Sequence, residues 1–226
     1  MMRSNRLRDM GGGSLAAIRI ALVLGVLVAM VSVPVSAVVV SFPDPGLEAA
    51  IRDAIEKPTG DIHDTDLIGL TSLRADYRGI TNLKGIQRCV DLTELDLSWN
   101  EIVDISALSG LTNLTELWLY WNEIVDISAL SGLTNLTGLW LGSNQIVDIS
   151  TLSGLTNLSD LTLNGNQIAD ISALSGLTNL TKISLGSNQI VDINVLSGLT
   201  NLTLLSLRGN QIVDISTLSG LTNLSD

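Results

Sequence analysis

The sequence predicts an α/β solenoid: a right-handed superhelix whose coils each add one short strand to a concave parallel sheet, closed at the N-terminal end by a helical cap. Three observations lead there. Asn100, Asn122, Asn144, Asn166, Asn188 and Asn210 recur 22 residues apart without a slip. Leucine and isoleucine keep their places in every copy, as in Leu114-Thr-Glu-Leu117-Trp-Leu119-Tyr-Trp-Asn122-Glu-Ile124-Val-Asp126-Ile127-Ser-Ala-Leu130-Ser-Gly-Leu133. A segment with one apolar helical face precedes the array. A single coil cannot bury its own apolar side chains, so several must stack to form one continuous core.

Within a unit, Leu117 and Leu119 alternate with a free position, the period-two pattern of a strand with one buried face. Strands are therefore expected at 95–97, 117–119, 139–141, 161–163, 183–185 and 205–207. The asparagine follows where the chain must leave the sheet. Its amide carries donors and an acceptor, so stacked copies are expected to form a structural ladder that satisfies turn backbone between coils. Ile124, Ile127, Leu130 and Leu133 then return at spacings of three, which suits a 3₁₀ or irregular convex side. Asp104, Asp126, Asp148, Asp170, Asp192 and Asp214 form a second column, read as acceptors for backbone N–H groups at the convex turn. Asn-Leu-Thr/Ser at Asn113, Asn135, Asn157, Asn179, Asn201 and Asn223 matches a glycosylation sequon but follows from the repeat itself. The unit as a whole is the leucine-rich-repeat pattern L-x-x-L-x-L-x-x-N-x-L.

Residues 1–37 differ from the rest. Arg3, Arg6, Arg8 and Arg19 precede an apolar stretch from Ile20 to Val33, and Val35-Ser36-Ala37 has the small-residue form of a signal-peptidase site. The expectation is an exported chain, secreted or at the cell surface, cleaved after Ala37. An uncleaved membrane anchor is the alternative, although the uninterrupted run is shorter than the roughly 20 residues a span needs. The chain carries a net charge of −11; without residues 1–37, 8 basic and 22 acidic side chains remain, a net −14. That balance excludes nucleic acid and anionic membrane as ready partners and favours a basic protein surface or a neutral glycan. Cys89 is the only cysteine and occupies the slot of Leu111 and Leu133, so it is read as a buried apolar thiol.

Residues 38–66 are expected to form the N-terminal cap and 67–226 the repeats, one degenerate and six regular. Asp44 before Pro45 is an N-cap with proline at N1. Leu47, Ala50, Ile51, Ala54 and Ile55 mark the buried face until Pro58 and Gly60. Thr71 to Arg88 is the degenerate unit, with Leu73, Ile80, Leu83 and Ile86 in register but Arg78 in the asparagine's place. At the other end the chain stops one residue before the first leucine of a next strand. Further repeats or a domain are expected to follow, with Leu218, Leu221 and Leu224 partly uncovered.

With Phe42-Pro43-Asp44 leading into the capping helix, Ile80-Thr-Asn-Leu83-Lys-Gly-Ile86 closing the degenerate coil, and the unit Asn-x-Ile-x-Asp-Ile-Ser, the chain resembles the internalin-like class of bacterial surface leucine-rich-repeat proteins. The resemblance runs from about Phe42 to Asp226. It implies recognition of protein partners through the concave face. The intracellular phosphatase-regulatory class shares the period but not the apolar leader.

A non-catalytic protein-binding module is the reading these features favour. No repeat carries a nucleophile with a base, His63 is the only histidine, and no cofactor or metal is expected. The alternative is a targeting or carbohydrate-binding arm of a larger surface protein or enzyme. The candidate partner site is a concave patch of Trp99, Trp118, Tyr120, Trp121 and Trp140, with Trp118, Trp140 and Tyr120 close neighbours. Glu94, Asp96, Glu101, Glu116 and Glu123 are its expected acidic rim. Later coils, with Gly142-Ser143, Gly186-Ser187 and Gln145, Gln167, Gln189 and Gln211, read as a monotonous polar surface.

Overall fold

The computed structural model describes residues 37–225. The expected leader and its cleavage site lie outside the described residues up to Ser36, as does Asp226.

Seven three-residue strands, β1 (Ser72–Arg74), β2 (Glu94–Asp96), β3 (Glu116–Trp118), β4 (Gly138–Trp140), β5 (Asp160–Thr162), β6 (Lys182–Ser184) and β7 (Leu204–Ser206), pair in chain order. All pairings are parallel, and the register sets Leu73, Leu95, Leu117, Leu139, Leu161, Ile183 and Leu205 in one line. The strands begin one residue before the expected ones. Side-chain alternation reveals which face is buried, but the limits of a strand depend on where inter-coil bonds begin, and Thr93 and Glu94 N–H both already donate to Thr71 O. Bonding continues past each strand, with Leu97 N–H to Trp118 O and Trp99 N–H to Tyr120 O. The faces themselves follow the alternation: Leu95 and Leu97 are buried, and no tryptophan lies in the interior.

Two rows of polar groups tie coil to coil, and a third shapes the turn within each coil. Hydroxyls at the strand entrances bond the preceding coil, Thr115 Oγ1 to Thr93 O and Thr137 Oγ1 to Thr115 O at 3.1 Å. The six aspartates accept the N–H two residues on, at 2.7–2.8 Å, and so start the convex 3₁₀ turns such as Ser106–Leu108 and Ser150–Gly154. Those backbone bonds hold the Asp104, Asp148 and Asp214 carboxyls below their ordinary range. The sequon asparagines use their side-chain nitrogen structurally, Asn135 Nδ2 donating to Thr112 O and Asn157 Nδ2 to Thr134 O at 2.9 Å. Cys89 is fully buried in the core, and burial pushes its thiol up to about 12. Toward the last coil Leu218 and Leu224 are partly covered and Leu221 is buried, while Val213 and Ile215, the latter in a slot buried in earlier coils, are exposed.

Helix α1 (Pro45–Ala54) lays Leu47, Ala50 and Ile51 on the first coil. Asp44 Oδ1 accepts from Gly46 and Leu47 N–H, as its N-cap position requires. Its other oxygen reaches a coil distant in sequence, accepting from Thr81 N–H at 2.9 Å and Asn82 N–H at 3.2 Å. Arg78, standing where an asparagine would be, instead pairs with Asp53 of the helix at 2.9 Å. The helix ends at Ala54, ahead of Pro58, where Glu56 takes a left-handed φ of 53°; Ala54 is consequently exposed.

Candidate functional site

Strand register arranges the outward side chains in columns. One runs Ser72, Glu94, Glu116, Gly138, Asp160, Lys182, Leu204, and the next Arg74, Asp96, Trp118, Trp140, Thr162, Ser184, Ser206. Neighbours in a column lie about 4.8 Å apart, close to the separation of stacked rings. Trp118 and Trp140 exploit this, with centroids 4.7 Å apart and planes within 2°. The Trp140 ring lies back over Gly138, beside the Glu116 carboxylate, in the space that any larger residue at 138 would occupy.

A second stack forms where the chain leaves the strands. Tyr77, Trp99 and Trp121 stack in sequence at 5.2 and 4.6 Å, and all three are exposed. Each has a left-handed backbone, φ 55°, 58° and 53°, a conformation unfavourable by about 1–2 kcal/mol for a residue with a Cβ. Later coils place Ser143, Gly165, Ser187 and Gly209 at the same turn, the serines also left-handed at φ 57° and 54°. The first three coils thus hold large aromatics where glycine would be relaxed.

The aromatic set therefore divides into two stacks rather than one patch, and Tyr77 belongs to it although the sequence reading omitted it. Its signal was the interval of 22 residues before Trp99, already implied once Arg78 is set in the asparagine's place. Among the described residues Tyr120 joins neither stack: its ring passes over Gly142 toward Thr162.

The carboxylates divide as well. Glu94, Asp96 and Arg74 line a 210 Å³ hollow closed on one side by Trp118. Glu94 accepts from Ser72 Oγ at 3.2 Å, and Asp96 from Ser98 N–H at 2.9 Å. Burial raises the Glu116 carboxyl above its ordinary range, the Thr137 hydroxyl opposes that, and Asp160 and Glu94 add to it. Glu101 and Glu123 lie past the asparagine turn, exposed, with their N–H groups on Ile80 O and Ile102 O.

Beneath these rows run the asparagines. Asn144 is 8% exposed; its Nδ2 donates to Leu119 O at 2.9 Å and Leu141 O at 3.1 Å, and its Oδ1 accepts from Ile124 N–H at 3.0 Å. Asn100, Asn122, Asn166 and Asn188 are buried in the same way, and Asn210 is half-buried. Asn100 Oδ1 accepts from both Arg78 and Ile80 N–H, which serves the coil that has no asparagine of its own.

Gly138→Val is expected to displace Trp140 and Glu116, change the tryptophan circular dichroism of the paired indoles, including any far-ultraviolet exciton couplet, and destabilise by about 1–3 kcal/mol from overpacking. An unchanged spectrum would show that the rings are not held over Gly138.

The leucine-rich-repeat family model, two copies per match, matches residues 90–132, 112–155, 134–176 and 156–198. No curated protein matches the chain in sequence. Among solved structures, internalin C2 of Listeria monocytogenes is 37% identical with a TM-score of 0.68, over 81% of this chain and 92% of that one. The chain belongs to the internalin-like leucine-rich-repeat family. The internalin InlF of the same organism is 31% identical, TM-score 0.65, over 81% of this chain and 68% of its own. A functional domain of InlJ, also from Listeria monocytogenes, is 25% identical, TM-score 0.61, over 81% and 49%. As an internalin-like array of leucine-rich repeats, the chain is a protein-interaction module.

Proposed function

We propose that this internalin-like protein is an exported, non-catalytic binding module whose partner docks on the N-terminal half of the concave face and presents a basic segment there. The observation that carries this reading is the pair of outward-facing aromatic stacks, Tyr77–Trp99–Trp121 and Trp118–Trp140, beside Glu94, Asp96 and Glu116. Stacked indoles offer large area at small entropic loss, and a lysine or arginine lying on an indole face next to a carboxylate gains both a cation–π contact and an ion pair. Later coils place only serine or glycine in the same left-handed turns, so the turn itself does not require large rings, which supports a binding role for them.

The test is capture of partners from native extracts by the parent, by Trp118→Ser with Trp140→Ser, and by Trp121→Gly. The proposal expects lost capture in the double variant with a nearly unshifted melting temperature. Trp121→Gly should lose capture at nearly parental stability, because relief of the left-handed backbone offsets the lost stacking. Capture should also weaken steeply with salt, as the carboxylates are screened. Full capture by both variants would exclude the aromatic stacks as the site.

A further inference from the structure

Beyond the tryptophans the concave face changes chemistry. Thr162, Ser184 and Ser206 succeed Trp118 and Trp140 in the middle column. A depression of 630 Å³ opens there, with Tyr120 and Asn164 on one side and Arg208 on the other. Its floor is low at Gly186, where a side chain would sit 3.1 Å from Arg208 O and 3.6 Å from Ser206 Oγ. The Tyr120 ring is half-buried, lies toward Thr162, and closes with Asn164 Oδ1 over the space above Gly142. No carboxylate lines this depression, and among the described residues Arg208 makes no ion pair. Among the described residues, a guanidinium without an ion pair at a recess lined by no carboxylate stands out on a chain of net charge −11; Asp160 acts only from beyond the lining, on the Tyr120 side.

We propose that this depression is a second binding site, for an oligosaccharide that carries carboxylate groups. Hydroxyls and a carboxamide each donate and accept, which matches a ligand that does both at every ring. The Tyr120 face offers a flat surface for the apolar side of one sugar. Arg208 supplies the planar fork that pairs with a carboxylate through two parallel hydrogen bonds. An acidic peptide would meet the same cation, but the recess has only one aromatic face to receive apolar side chains. The site shares Tyr120 alone with the aromatic set and does not depend on the protein-binding reading.

The experiment is isothermal titration of the protein with a short oligogalacturonate, with its methyl ester, and with polyglutamate. The proposal expects the oligogalacturonate to bind, and Arg208→Gln to weaken it about tenfold, the scale of one charge-assisted hydrogen-bond pair. The methyl ester should bind the parent about as weakly as the acid binds Arg208→Gln. Asn164→Ala should weaken binding too, whereas Trp118→Ser with Trp140→Ser should leave it intact, which separates this site from the one above. Arg208 is exposed, so a melting temperature equal to the parent's is expected for Arg208→Gln. Absence of binding, equal affinity for acid and ester, an unaffected Arg208→Gln, or polyglutamate binding as tightly would each overturn the assignment.

Discussion

Asp44→Ala is expected to lower stability by about 3 kcal/mol, combining about 1 for a lost helix N-cap with the desolvation cost of buried N–H groups left unmet. The carboxylate is 5% exposed and accepts from four backbone N–H groups, two on α1 and two on the first coil. It therefore caps the helix and bolts it to the repeats. Asp44→Asn separates the two roles. Asparagine caps as well as aspartate, but if its oxygen serves the helix, its amide nitrogen meets the Thr81 and Asn82 donors, so it should recover only the capping share.

The same residue predicts a dependence on pH. Burial pushes the Asp44 carboxyl up, but the N–H groups of Thr81, Leu47, Asn82 and Gly46 together outweigh it and hold the group below its ordinary range. A folded value below the unfolded one means that the stabilisation is complete above about pH 4–5, beyond the unfolded value of about 3.9. It is lost as pH falls through the lower folded value. Urea unfolding at pH 7 and near pH 3 should thus show the parent and Asp44→Ala converging in acid. A constant difference between them would contradict the role of the ionised carboxylate.

Asn144→Ala should destabilise the array by about 1–3 kcal/mol, the penalty for buried polar groups deprived of partners. Alanine would leave Leu119 O, Leu141 O and Ile124 N–H facing the gap, and these belong to two successive coils. Interior coils rely on both neighbours, so the change at 144 weakens an interface as well as a turn. Gln145→Ala, exposed and next in sequence, is the control and should fall within about 0.5 kcal/mol of the parent. A melting curve for Asn144→Ala that overlays the parent's would remove the ladder from the stability of the fold.

Much of this molecule is legible in its sequence because a strict period converts a one-dimensional interval into a spatial column. Leu117 and Leu139 must share a line once each coil adds one strand in constant register, and Trp118 and Trp140 then face each other on the opposite side. Strand spacing brings those two indoles within stacking distance. The acceptor role of the aspartate column is equally local, since Asp104 and Ser106 are two residues apart.

What the sequence by itself determined is the solenoid, the buried and outward faces, the helix start at Asp44, and the rows of asparagine and aspartate. These depend on the period and on contacts a few residues long. The place of Tyr77 in the column of Trp99 and Trp121 was implied by the interval of 22, but the tertiary structure decided that the three rings stack. It decided that Tyr120 turns over Gly142 toward Thr162, two strands away, and that Asp44 reaches Thr81 across 37 residues. It also separated one expected patch into two stacks and set Arg208, which makes no ion pair among the described residues, at a recess lined by no carboxylate. The physical reason is the same in each case. Periodicity fixes where a side chain is rooted, whereas where it points depends on the free space and partners offered by the adjoining coils, such as the gap above Gly138 or Gly142.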